Sequence, residues 1–452
     1  KIYQRKFLAL LVILLLSIPI DASDSLVVSS VVLSGNQKTK AHIIYNELTF
    51  QQGDTIQRNI INQKEKQSQQ NLYNLQLFNF VYITHQVSEK SVRFHVEVEE
   101  RWYWWPLLDL GKSNAGLSTI IKEQKWSLLN YTIGGYTNNF RGRNEWLSLV
   151  YIDGLDQRFQ LKWENIKISP DQRHSIGGMV AYNSNNQLFY NVQNDQLVGI
   201  KQRDVQFFEY VEAELSYSYR SNHYNWHRFY VGMGEYHLKD TIYQMNPSFL
   251  GQDVKNAFVP HLSYMFEHKK ADRAYYPTIG EVGQFQIKKH FGLKNHSFDL
   301  WTFQGEYKWF HKLSDHFYLA DGVFGKATLG KEFPFYLRNG LGYEEDFLRG
   351  FDTYFIYGQK YIYTKNTLKY ELFRRKKISL DFLPFKKFNK VHFSAYPNLF
   401  ADLGYVYDET SKKDVMNNSL SNQIIYSFGI GFDIVTYYDH VFSVGYAYNS
   451  MD

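Results

Sequence analysis

From Arg101 onward one pattern repeats: segments of about ten residues in which apolar and polar side chains alternate with period two, separated by polar breaks. EWLSLVYIDG, RFQLKWENI, EYVEAELSYSYR, HRFYVGMGEYHL, SFDLWTFQGEYKWF, HFYLADGVFGKATL and QIIYSFGIGFDIV are examples. In EYVEAELSYSYR one face carries Tyr210, Glu212, Glu214, Ser216 and Ser218, and the other Val211, Ala213, Leu215, Tyr217 and Tyr219. A strand of this length with one lipid-compatible and one water-compatible face is the repeating unit of a transmembrane β-barrel. The pattern therefore predicts a mainly β chain dominated by an antiparallel barrel. A soluble β-sandwich would show the same alternation, and the start of the chain separates the two.

KIYQRKFLALLVILLLSIPIDASDS carries Lys1, Arg5 and Lys6, an apolar run from Phe7 to Ile20, then the small residues Ala22 and Ser23. The run is shorter than the roughly 20 residues that span a bilayer, so residues 1–23 read as a secretory signal peptide. No later segment has an apolar run of spanning length, which leaves strands as the only way through a membrane. Composition agrees. The 452 residues include 37 Tyr, 35 Phe and 9 Trp against only 9 Pro, and no Cys, so neither disulfides nor thiolate metal sites are available. The 50 basic residues are interleaved with 45 acidic ones, which argues against nucleic acid as a partner.

Residues 24–101 have a different texture. SLVVSSVVLSGN reads as a strand, Ile43, Ile44 and Leu48 are spaced helically, and a second helix is expected from Asn59 to Leu77. VYITHQV and SVRFHVEVEER then alternate as a hairpin. This β-α-α-β-β order, with SGNQKT, NELTFQQGD and NLYNLQLFNFVYI at its junctions, resembles a polypeptide-transport-associated (POTRA) domain. The barrel is assigned to 102–452. Roughly fifteen strands run from Trp102–Leu110 to His440–Tyr448, and because such barrels normally have an even count, about 16 strands are expected with the last apparently missing.

The long segment LGYEEDFLRGFDTYFIYGQKYIYTKNTLKYELF falls between two good strands and reads as a long extracellular loop. Here the chain resembles the BamA/TamA family of outer-membrane assembly factors, whose sixth loop folds into the barrel and carries an aliphatic-Arg-Gly-aromatic tip. Leu348, Arg349, Gly350 and Phe351 match that tip, Glu371 matches an acidic residue on the next strand, and Asp402 and Gly404 match a D-x-G on the following one. NNFRGRNEWLSL and ADRAYYPTIG match two further family loops. The resemblance implies a strut in which Arg349, withdrawn from bulk water, is satisfied by Glu371 and Asp402.

It also implies function. Strand templating at a lateral seam would insert or assemble other outer-membrane proteins, with Trp102, Tyr103, Trp104, Trp105 and Pro106 as the candidate gate and a POTRA edge strand near Val81–Val87 receiving extended chain. The expected partners are unfolded outer-membrane proteins, outer-membrane lipids and accessory lipoproteins, and the expected location is a Gram-negative outer membrane with the POTRA domain in the periplasm. The alternatives are a polypeptide-secretion transporter of the two-partner type, or a passive porin or receptor. No hydrolase elbow, zinc-protease helix or phosphate loop occurs, so no enzyme, cofactor or metal is expected.

Overall fold

The computed structural model describes residues 25–451 apart from 112–129, 155, 203, 294–297, 331–332, 338–339, 343–345, 353, 380–389, 410–417, 437 and 439. The expected signal peptide lies outside the described residues.

The N-terminal domain comprises β1 (Ser25–Ser34), a helix at Ala41–Tyr45, β2 (Thr55–Gln57), a helix at Ile61–Asn74, β3 (Phe78–Val87) and β4 (Ser91–Glu100). The sheet order is β2-β1-β4-β3, with β1 and β4 parallel and the outer pairs antiparallel. The strand β2 between the helices is the one element beyond the expected order; three residues are too few to show an alternation. The period-two pattern of β4 buries Val92, Phe94, Val96 and Val98, and Phe94 stacks on Phe50 with ring centroids 3.8 Å apart. Helix Ile61–Asn74 lays Ile61 and Leu72 against that face, and the chain leaves it through Gln76 in the left-handed region (φ 62°), where the helix cannot continue.

The second unit is an antiparallel meander of β5 (Trp104–Gly111), β6 (Asn130–Phe140), β7 (Glu145–Gly154), β8 (Gln157–Lys167), β9 (His174–Asn185), β12 (Phe208–Arg220), β13 (Asn225–Leu238), β14 (Asn256–Ala271), β15 (Gly280–His290), β16 (Leu300–Lys312), β17 (Phe317–Leu329), β18 (Lys360–Tyr370), β20 (Lys390–Tyr407), β21 (Ile424–Val435) and β22 (Val441–Asn449). Each strand pairs with its neighbours in this order. A separate hairpin, β10 (Gln187–Gln193) with β11 (Gln196–Lys201), stands between β9 and β12. The sixteenth strand of the sheet, β19 (Phe373–Ser379), continues β18 past a break at Glu371–Leu372 and pairs with β20. No helix among the described residues is long and apolar enough to cross a membrane.

The alternation places its two faces as expected. Val211, Leu215 and Tyr217 of β12 are exposed on the outer wall, whereas Glu212 and Glu214 face inward, accepting hydrogen bonds from Tyr236 and pairing with His261. Contacts between distant strands show that the sheet curls into a barrel. Tyr276, between β14 and β15, donates a hydrogen bond to Asp433 of β21, and the Tyr438 hydroxyl, in the turn between β21 and β22, accepts from the Trp102 amide just ahead of β5. We call the barrel end next to the N-terminal domain proximal and the opposite end distal.

Candidate functional site

The loop between β17 and β18 starts at the distal end and turns back into the lumen, where four consecutive residues each meet a different feature of the wall. Leu348 is buried against Gly404, and a Cβ at 404 would lie 3.0 Å from the Leu348 side chain, so the glycine makes its room. Arg349 donates from Nε to Asp402 Oδ2 (2.8 Å) and from Nη2 to Asp402 Oδ1 (2.5 Å), a two-pronged pair on β20. Its remaining donors reach Thr367 Oγ1 (3.0 Å) and the Asn366 carbonyl on β18, and the guanidinium lies over the Phe400 ring at 4.1 Å. Gly350 has φ 84°, and its carbonyl accepts from Asn449 on β22 at 2.7 Å. Phe351 is buried with Leu341, Ile356, Tyr361 and Ile425. Asp346 fixes the stem by accepting from the Tyr361 and Tyr363 hydroxyls.

Glu371 is not in this arrangement. The expectation of two carboxylates on Arg349 is corrected to one: Glu371 sits proximally, at the break between β18 and β19, where its carboxylate accepts from the Tyr318 and Tyr396 hydroxyls. Three strand residues separate Thr367, at the arginine, from Glu371, and that displacement along β18 is about 10 Å or more. Glu371 serves a second lumenal crossing instead. The loop Asp272–Ile279 is closed on itself by Asp272, which accepts from Thr278 and Ile279, and it sends Arg273 to the Tyr396 hydroxyl (3.1 Å) and Tyr276 to Asp433 (2.7 Å). The barrel is thus crossed twice, by an arginine strut distally and by an aromatic strap proximally. The strap's acceptors lie more than 100 residues away in sequence, and no local pattern marks them.

The distal mouth is covered by loops from widely separated strands. Phe207, Phe208, Ile242, Phe249, Leu250 and Phe298 form a buried cluster against Phe335 and Tyr336 of the long loop. The tip of the β10–β11 hairpin, Asn194-Asp195, takes the positive φ angles of a tight hairpin turn (53° and 55°) and carries the contact that sequence reasoning missed. Asp195 is 3% exposed. Its carboxylate accepts from Ser419 N (2.8 Å), Ser419 Oγ (2.8 Å) and Leu420 N (3.1 Å), its amide donates to Asn418, and its carbonyl accepts from Phe355 N. One residue between β9 and β12 therefore pins the β17–β18 and β20–β21 loops. These positions lie half-way around the sheet from it.

The family model described as POTRA, surface antigen variable number repeat, matches residues 26–101. Among solved structures, the chain is similar to BamA from Haemophilus ducreyi lacking POTRA domains 1-3, at 14% identity over 94% of this chain and 85% of that one with a TM-score of 0.50. It is also similar to CdiB from Escherichia coli, at 12% identity over 94% and 73% with a TM-score of 0.51. Residues 26–101 thus match a POTRA model, and the whole chain shares the fold of these POTRA-bearing barrels. No curated protein matches it by sequence.

The POTRA domain docks under the proximal turns almost wholly through polar contacts. Glu47 takes both terminal nitrogens of Arg220 at the end of β12, the Nη2–Oε2 distance being 2.9 Å, and His223 meets the Asn46 carbonyl. Trp226 stands beside the pair with Lys167, Arg220 and Arg228 over its ring within 5.5 Å. Asn139, near the end of β6, donates to Thr39, and on the following turn the Gly142 carbonyl accepts from Lys40 N at 2.9 Å. Gly142 has φ 73°, and a Cβ there would lie 2.0 Å from the Lys38 carbonyl, so the turn can approach the POTRA backbone only as glycine.

The candidate gate residues divide at this junction. Trp104, Trp105 and Pro106 lie on β5, with Pro106 opposite Gly135, whereas Trp102 and Tyr103 precede the strand. Tyr103 is corrected from gate to POTRA residue: it is 3% exposed in the domain's own core, donating to the Leu77 carbonyl and paired with Thr39. Burial pushes its hydroxyl pKa up. Trp105 packs edge-on against Tyr438 at 5.1 Å, and Arg101 lies over the same ring at 5.5 Å. Among the described residues β5 and β22 form no ladder with each other; the Trp102–Tyr438 hydrogen bond and these ring contacts bridge the region between the two ends of the sheet.

Proposed function

We propose that this protein sits in a Gram-negative outer membrane with its POTRA domain in the periplasm, and inserts or assembles other outer-membrane proteins at the seam beside β5. The observation that carries this reading is the doubly crossed lumen. Arg349 and its aromatic neighbours fill it distally, Arg273 and Tyr276 bridge it proximally, and Asp195 locks the cover, so the wall is the easier exit for a client chain. Trp104, Trp105 and Pro106 form the side of the seam where a missing backbone donor weakens pairing. The POTRA strand β3 is an edge of its sheet, and past Val81, whose amide and carbonyl are held by Tyr73 and Gln69, this edge would receive extended chain. Unfolded outer-membrane proteins are the clients, the surrounding lipid is the medium, and accessory lipoproteins would dock on the POTRA domain.

The chain has no native cysteine, so the test is clean. Cysteines replacing Trp105 and Tyr438 would tie the ends of the sheet together under oxidising conditions. Assembly of a reporter barrel in proteoliposomes is expected to stop when the bond forms and to resume on reduction. Assembly that continues in the oxidised protein overturns the seam. The secretion transporter of the two-partner type and the passive pore are the readings it would leave, since both use the lumen.

A further inference from the structure

Where the POTRA domain covers the proximal mouth, cations outnumber the carboxylates that face the enclosed space. Lys167 at the end of β8, Arg220 at the end of β12 and Trp226 of β13 line a cavity of about 640 Å³, opposite Asn46, Glu47 and Leu48 of the POTRA domain. An adjoining cavity of about 520 Å³ shares Glu47, Arg220 and Trp226 and adds Arg228, Glu267 and Lys269. The Lys167 ammonium and the Arg220 guanidinium each lie 5.0 Å from the Trp226 ring centroid, and the Arg228 guanidinium 5.5 Å. A ring has two faces, so at least two of these cations share one. Arg220 is met by Glu47, and Arg228 and Lys269 by the single carboxylate of Glu267. Lys167 is met by none: it is 9% exposed and forms no side-chain hydrogen bond or ion pair among the described residues. The Nε groups of Arg220 and Arg228 are buried and also lack an acceptor there. Neighbouring carboxylates are engaged elsewhere, Glu145 with Arg141 and Arg143, Glu164 with Lys162 and Asp171 with Arg173.

Lys167, Arg220, Arg228 and Lys269 thus share two carboxylates, and a buried positive charge is costly until a counter-charge meets it. An excess of two charges, with an ammonium and two Nε–H groups left to donate, suits a tetrahedral dianion with several acceptor oxygens. A lone carboxylate would neutralise only half of it. Trp226 and Arg228 fall on the same face of β13 as Tyr236, which bonds the inward Glu212, so the site is lumenal and its ligand comes from solution, not from the bilayer. The cavities have the size of small-molecule sites. We propose that the POTRA–barrel junction binds a phosphate-type dianion, free or as the head of a small soluble phosphate ester, held around Trp226 by Lys167 and the Nε–H groups of Arg220 and Arg228. The site is independent of where client chains leave the barrel.

The full chain in detergent micelles is titrated with inorganic phosphate near neutral pH, at an ionic strength held constant with chloride, and binding is read from the phosphorus NMR line width. The wild type is expected to broaden the signal saturably. Lys167→Met should bind roughly tenfold more weakly, as loss of one charge-assisted hydrogen bond in a buried site implies, and Lys167→Arg should retain binding. Arg173→Gln, which removes an exposed cation at the rim of the same cavity, should leave binding unchanged. A second readout needs no variant: in the wild type, phosphate should slow reductive methylation of Lys167, mapped by mass spectrometry, while Lys90 on the exposed β3–β4 turn reacts as before. Competition by glycerol phosphate would assign the ester, and its failure the free ion. Broadening that does not saturate, equal weakening by Arg173→Gln, or an unchanged methylation rate at Lys167 would each overturn the site.

Discussion

The two ends of the barrel are closed by different physics. At the distal end the loops share a buried aromatic cluster, a strut whose aspartate is fully buried, and an Asp195 carboxylate that takes three donors from one loop while the residue's carbonyl accepts from another. At the proximal end the POTRA core is complete within residues 26–103, and the domain meets the barrel turns through an ion pair, a few amide contacts and one close glycine. Apolar burial is lost only by exposing the whole cluster to water, whereas the proximal contacts join polar groups that are themselves buried, Glu47, Thr39 and Asn139 each being at most 5% exposed, and breaking one leaves its partner unsatisfied. The distal cover is closed by apolar packing and the POTRA junction by satisfied, buried polar groups.

The strongest way to break this contrast is to remove the aspartate beneath the strut. Asp402→Ala leaves the Arg349 cation, about a quarter exposed, without its carboxylate. The expected cost is about 2–4 kcal/mol in the lumenal pose of the loop, the lower part of the range reflecting water in the lumen. Proteolysis of the Leu341–Tyr357 segment in intact cells should rise with a loss of complementation, whereas Glu371→Gln should leave the distal loop protected and loosen the proximal strap. If Asp402→Ala is protected like the wild type, the distal end does not depend on the strut.

Next in size is the hairpin pin. Asp195→Ala removes the acceptor for three donors, two of them backbone amides, at about 1–3 kcal/mol. Single-channel recordings should show frequent large openings while POTRA docking is unchanged. A silent variant would mean that the aromatic cluster alone closes the mouth.

Smaller effects are expected proximally. Glu47→Gln should weaken docking by about 1–2 kcal/mol, since the partner arginine keeps its stacking on Trp226. Spin labels on the POTRA domain and on β13 should report a broader distance distribution with barrel melting unchanged. Gly142→Ala, which would drive a methyl group into the Lys38 carbonyl, should broaden it further. A cooperative loss of barrel stability in either variant would contradict the separation of the two ends.

The smallest effect is in pH. Burial, then the Arg143 and Lys40 charges, hold the His42 pKa below its ordinary value. A depressed histidine means that the unfolded or undocked state takes up the proton first, so stability is full above about pH 6.5 and falls as pH drops through and below it. The same labels should show slight undocking on acidification, reduced in Arg143→Gln.

Much of this architecture is legible in the sequence because strands that face lipid and water must alternate, and the alternation in β12 or β21 needs no knowledge of neighbours. The tip Leu348–Phe351 and its partner Asp402 are legible for a related reason: a cation inside a barrel requires an anion, and each lies in a short motif. Glu371 shows the limit. An acidic residue on the right strand satisfies the motif, but whether it reaches Arg349 depends on register along β18, and register is fixed by pairing with β17 and β20. Tyr103 shows it again, since a run of aromatics looks the same whether it starts a strand or ends in the core of the preceding domain. The Asp195 pin and the Asp272–Ile279 strap were decided by tertiary structure alone. Their partners are far apart in the chain and meet only because curling the sheet brings opposite walls together.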